Sequence, residues 1–159
     1  MHCTQLSTTR KEVSIRIPRQ LDDRITTSDL RIDLRDSLAT MTWLIASRSR
    51  AGKFANIRHE LLGEFVRYCT ILRLKTLLEQ WGIIGCDGEY SVGKKSLGYR
   101  ICDDAAESEV VQYAITSRTC LKRLGEKPRQ RLLPKNDLQR WLCDSFVRTR
   151  MDEPAARHI

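Results

Sequence analysis

Aromatic residues are scarce in this 159-residue chain, at 6% of the total, and only four prolines interrupt it. Few aromatics together with 30% charged residues fit a small helical domain better than a β-sandwich. Long apolar runs are missing as well. The best stretch, residues 41–46, is the length of a core segment and far short of the roughly 20 residues a membrane-spanning helix needs. Residues 1–11 are polar and carry no apolar signal-peptide segment, so an intracellular, cytoplasmic protein is expected.

Paired metal ligands are also absent. The six cysteines (3, 69, 86, 102, 120 and 143) stand more than a dozen residues apart, and no Cys-x-x-Cys occurs. Reduced, half-buried thiols are the expected state, although Cys86 and Cys102 flank one segment and can approach across it. His59 is followed by Glu60 but has no second histidine at metalloprotease spacing. Gly93-Lys94-Lys95-Ser96 copies part of a phosphate-binding loop, yet it leads into Leu97-Gly98-Tyr99 and not into a helix. Asp22 with Asp23, and Asp103 with Asp104, have ordinary loop and cap roles. No catalytic constellation, metal or cofactor is expected.

What the chain has in excess is positive charge: +8 net, with a pI of about 9.4. That bias attracts polyanions and says nothing about fold.

Apolar and polar residues alternate over 12–18 (Val13, Ile15, Ile17), the period of a half-buried strand closed by Pro18. Residues 20–27 are polar and read as loop. Ser28 or Asp29 can cap a helix whose apolar positions are Leu30, Leu34, Leu38, Met41 and Ile45, with Asp29, Asp33 and Asp36 near its positive end. A basic loop (Arg48, Arg50, Lys53) ends it. A short helix is expected over 56–62 with Asn56 as cap, then a turn near Gly63. A longer helix over 67–81 carries Ile71, Leu74, Leu78 and Trp81 on one face, stopped by Gly82. Next comes a β-hairpin, with Ile83 and Ile84 at its start, 89–92 as one arm and 97–101 as the other. Asp104 and Glu107 have capping-box spacing and predict a helix through Val110, Val111, Ala114, Ile115, Leu121 and Leu124, ended by Gly125. Residues 127–135 form a basic linker with Arg129 and Arg131, and a last helix places Leu138, Trp141, Leu142 and Phe146 inward. Four units result: an N-terminal strand and loop (1–27), a central domain (28–102), a C-terminal helical extension (103–150) and a tail (151–159).

A short helix, a longer helix and a basic-tipped hairpin in that order spell a winged helix-turn-helix, which joins a groove-reading helix to a phosphate-gripping wing. The expected fold class is therefore mainly α with a small β-hairpin (α+β), the N-terminal strand pairing to the wing. The phrase Leu77-Leu78-Glu79-Gln80-Trp81-Gly82-Ile83-Ile84, followed by Tyr90-Ser91-Val92-Gly93-Lys94-Lys95-Ser96-Leu97-Gly98-Tyr99-Arg100, resembles the winged-helix region of plasmid- and phage-type replication proteins, over about residues 56–101. The resemblance implies duplex-DNA binding in the replication or regulation of a mobile element, and a nucleoid-associated protein when DNA is bound.

On the longer helix, the side away from the apolar stripe offers Arg67, Thr70, Arg73, Thr76 and Gln80. Arginine can read guanine, glutamine adenine, and threonine a phosphate or a thymine methyl. Arg73, at mid-helix, is the first choice, whereas Lys75 is expected to touch backbone or nothing. At the wing, Lys94 and Lys95 would lie along phosphates, with Arg100, Ser91 and Ser96 in support. The ordinary reading of these residues is a solvated helix face and a hairpin tip kept soluble by lysine. Tyr90 and Tyr99 are expected to pack across the hairpin. Trp141, Leu142 and Phe146 offer a homodimer contact that would present two recognition helices. The rival function is a winged-helix protein–protein interaction module without DNA binding, since fold alone does not fix function.

Overall fold

The computed structural model describes residues 13–49, 53–89, 93 and 95–131, with side chains as far as Leu124. The chain is a mixed α+β protein, the class expected from the sequence, but its described residues form two small antiparallel sheets and not a single hairpin. In order it forms β1 (Val13–Pro18), α1 (Arg19–Thr27), α2 (Ile32–Arg48), β2 (Ala55–Arg58), α3 (His59–Phe65), a 3-10 turn (Tyr68–Thr70) and α4 (Ile71–Gln80). There follow β3 (Ile84–Asp87), β4 (Ser96–Ile101), α5 (Asp103–Glu107), β5 (Val110–Ile115) and α6 (Arg118–Arg131).

Helix α2 is the centre of the molecule. Every residue from Asp36 to Ala46 is buried, because β1, β2, β4, α3, α4 and α6 all pack on it. The fourfold stripe seen in the sequence marks only part of a helix that is covered all round. Trp43, fully buried, meets Phe65 of α3 edge to face at 5.4 Å. Arg31 occupies the N-cap position of α2, and neither Ser28 nor Asp29 caps it through a side chain.

Several expectations are overturned. Residues 20–27 are helical, not loop: Leu21 and Ile25, one turn apart, bury against the core and are enough to fix α1 despite its polar surface. The capping box at Asp104 does not form, and α5 lasts only five residues, ending at Ser108. The following Val110-Val111 pair enters a strand, as β-branched residues favour when a partner is at hand. That partner is β1, paired antiparallel from Val13 opposite Ile115 to Pro18 opposite Val110. The N-terminal strand therefore pairs with β5 and not with the hairpin. Arg19 and Glu109 close the end of this ribbon with an exposed ion pair of 3.1 Å. Helix α6 begins only at Arg118 and continues through Gly125 into the segment expected to be linker.

The second sheet has the order β2-β4-β3. Asn56, expected as a helix cap, lies in β2, and α3 starts at His59 and runs through Gly63. The chain between α3 and α4 is extended at Val66 and Arg67 before the 3-10 turn, so α4 starts four residues later than its sequence pattern implied. Helix α4 stops as expected. Gly82, at φ 72°, donates to the Glu79 carbonyl and Ile83 to that of Leu78, the paired bonds of a Schellman end. Ile84–Asp87 pairs with the second arm, while residues 90–92 of the expected first arm lie outside the described residues.

Gly98 sits in the central strand, opposite Asn56 on one side and Asp87 on the other. A Cβ there would come within 2.9 Å of the Asp87 Cβ and 3.5 Å of the Phe54 Cβ. Gly98→Ala is therefore expected to destabilise the protein by about 1–3 kcal/mol, read as a lowered urea midpoint with an unchanged slope. An unchanged midpoint would mean that the sheet yields freely at this point.

Candidate nucleic-acid interface

Helix α4 buries Ile71, Leu74, Lys75 and Leu78 and exposes Leu72, Arg73, Thr76, Glu79 and Gln80. Arg73, Thr76 and Gln80 thus lie on the outward side, as the helical period required. Arg67 is exposed on the extended turn ahead of the helix, and Thr70 closes that turn by donating from its hydroxyl to the Arg67 carbonyl at 2.7 Å. Thr76 donates its hydroxyl to the Leu72 carbonyl at 2.9 Å, so the proton is used within the helix and the exposed oxygen keeps only its acceptor capacity.

Lys75 departs from expectation. It is buried and forms an ion pair with Glu79 at 2.8 Å, one turn further on. Its aliphatic stem covers core surface while its ammonium reaches the half-exposed carboxylate. Glu79 also borders Cys86 in β3, whose thiol is pushed up to about 12 by burial first and by this carboxylate second. Cys69, Cys86, Cys102 and Cys120 are all free thiols.

Beyond α4 the Schellman end turns the chain directly into β3 and the hairpin. Lys95 is exposed near the tip, and its carbonyl accepts from the His59 N–H at 2.8 Å, which ties the hairpin to the first residue of α3. Lys94, Tyr90 and Ser91 lie outside the described residues, as do Arg50 and the expected dimer residues Trp141, Leu142 and Phe146. Tyr99 is wholly buried, and its register partner across the hairpin is Cys86. Arg100 is half-buried, stacked 5.4 Å from the centre of the exposed Phe54 ring and 3.7 Å from Asp103. Its guanidinium is committed within the protein, unlike those of Arg67 and Arg73.

The predicted residues fall into two groups. Arg67, Thr70 and Arg73 line a groove of about 310 Å³ shared with the start of α2 and with α6. Thr76 and Gln80 lie further along the open side of α4. The same fold brings forward residues that local reading passed over. Tyr68 and Leu72 are more than half exposed at the head of α4. Leu72 had a signal in the sequence, since it stands a third of a turn off the apolar stripe. Arg31 and Arg123, which also line the groove, had none, being 92 residues apart and joined only by tertiary packing.

No protein-family model matches the chain, and no curated protein or solved structure is significantly similar to it. Among the described residues no helix is long and apolar enough to cross a membrane, and no cluster of three metal-ligating side chains occurs.

Proposed function

We propose that residues 28–102 form a winged helix-turn-helix that binds duplex DNA, with α4 in the major groove and the hairpin tip on adjacent backbone. One observation carries the reading: the run α2, β2, α3, α4, β3, β4, with β4 central in the sheet, delivers a polar-faced helix straight into a lysine-tipped hairpin. Arg67, Thr70, Arg73, Thr76 and Gln80 supply the face, and Lys95 supplies the tip, joined in sequence by Lys94. Arg73 reads a base edge; Arg67 and the lysines hold phosphates. The setting, by the likeness of residues 77–84 and 90–100 to plasmid and phage replication proteins, is replication or regulation of a mobile element.

A second reading has its own observation. Tyr68 and Leu72 put apolar surface at the head of the same helix, which favours a protein partner that would cover them. Fluorescence anisotropy with a random duplex of about 25 base pairs, titrated at several salt concentrations, separates the two. DNA binding predicts micromolar or tighter affinity that falls steeply with salt, and a loss of about 0.9 in the log–log slope for each phosphate contact removed in Arg67→Gln or Lys95→Gln. No binding at low salt, despite the net charge of +8, would leave the protein-interaction reading.

A further inference from the structure

The groove at the head of α4 collects cations from three separate parts of the chain. Arg31 comes from the start of α2, Arg67 and Arg73 from the turn and first half of α4, and Arg123 from α6. Two carboxylates, Asp29 and Asp33, share it. Asp33 accepts the Ser117 hydroxyl, and Arg123 donates to the Gly63 carbonyl at 3.1 Å. Among the described residues no carboxylate forms an ion pair with Arg31, Arg67 or Arg73. Like charges gathered in a concave, low-dielectric wall focus a positive potential and favour an anion there.

Resting on the DNA reading, we infer that this groove seats one phosphate strand of the bound duplex, with Arg31 and Arg123 extending the contact surface beyond the helix-turn-helix onto α2 and α6. A helix in the major groove has a phosphate strand on either side of it. The hairpin tip serves one strand. Arg67 and Arg73 stand on the side of α4 that borders the groove, so the other strand, leaving that side, runs over Arg31 and Arg123. The contact is to phosphate, hence blind to sequence. It sets register and raises affinity for every duplex alike.

Arg31 is the clean probe, since it is exposed and its side chain makes no hydrogen bond or ion pair among the described residues, whereas Arg123 also holds the Gly63 carbonyl. The full chain is titrated with the random duplex of about 25 base pairs as wild type, Arg31→Glu, Asp29→Asn and Arg24→Glu, each first checked for an unchanged melting temperature. Arg24 is also exposed, on α1, but does not line the groove. Arg31→Glu is expected to weaken binding roughly tenfold and to reduce the salt slope by about 1, on random and selected duplexes equally. Asp29→Asn, which removes a repelling carboxylate, is expected to tighten binding, and Arg24→Glu to change it least. Equal losses in Arg31→Glu and Arg24→Glu would reduce the effect to overall charge and overturn the groove. Unchanged binding in Arg31→Glu beside a binding wild type would overturn it while sparing the DNA reading. A wild type that binds no duplex at low salt removes both.

Discussion

Asp36→Asn is expected to lower the melting temperature by on the order of 10 °C, corresponding to about 3 kcal/mol or more. The carboxylate is wholly buried. One oxygen accepts the Tyr113 hydroxyl at 2.6 Å, and the other accepts the backbone N–H groups of Ser117 at 2.7 Å and Thr116 at 3.1 Å. These donors belong to β5 and to the turn that starts α6, so a single side chain on the central helix fixes the C-terminal elements. An amide offers only one acceptor oxygen, and its NH2 would confront either the phenol or the two N–H groups. Facing the N–H groups, the NH2 would set donor against donor; facing the phenol, it can donate to the phenolic oxygen, but the phenol's own proton then loses its acceptor. Asp36→Ala should cost as much or more, adding a void to the unpaired groups. Tyr113→Phe removes one donor and leaves the carboxylate two others, so its loss should be clearly smaller. Thermal melts of the three variants give this order; equal, small losses would show that water replaces the carboxylate and that the turn does not depend on it. Because Asp33 joins Ser117 in the same turn, loosening it should also disturb the groove beneath α6.

This buried acid illustrates where the sequence was legible and where it was not. From the sequence Asp36 is a charge favouring the positive end of a helix, a sound local argument for a residue in the first half of α2. Its actual role depends on Ser117, 81 positions away, and no local pattern announces a partner at that distance. The same division runs through the fold. Signals that act over a few residues are readable: the alternation of Val13, Ile15 and Ile17, the glycine stop at Gly82 and the apolar stripe of α4. Signals that need a partner were misread. Val110 to Ile115 fitted a helical stripe as well as a strand, and only the presence of β1 decides between them. Residues 20–27 looked too polar for a helix because two buried side chains suffice when a core is already there to receive them.

The candidate interface divides in the same way. The outward side of α4 followed from the helical period, so Arg73, Thr76 and Gln80 emerge where periodicity puts them. Arg100, by contrast, looked like a free cation at the hairpin and instead stacks on Phe54 beside Asp103, contacts contributed by residues outside the hairpin arms. Lys75 looked idle and is one of the few buried charges. The Lys75–Glu79 pair follows from i,i+4 spacing, but the burial of Lys75 and the stacking of Arg100 on Phe54 depend on what lies beneath the helix or across the sheet.

Trp43→Ala is expected to cost about 3–5 kcal/mol, enough to unfold a large share of a domain of ordinary stability at 37 °C. Trp43 is among the largest fully buried side chains, and its edge-to-face contact with Phe65 joins the central helix to α3. Alanine would leave a cavity that the surrounding helices, pinned by β2 and β4, cannot close. The consequence reaches the interface, because α3 sets the turn from which α4 departs. Trp43→Phe keeps an aromatic ring and most of the volume, so it should cost less than half as much. On the proposed DNA-binding reading, and at a temperature where Trp43→Phe is fully folded, its duplex affinity reports orientation alone. If the Trp43–Phe65 contact sets the angle between α3 and α4, that variant should bind DNA measurably more weakly than wild type, with the salt slope unchanged, since no phosphate contact is lost. Unaltered affinity in a folded Trp43→Phe would assign the contact to stability only, and leave the placement of α4 to its own buried face and to the glycine stop at Gly82.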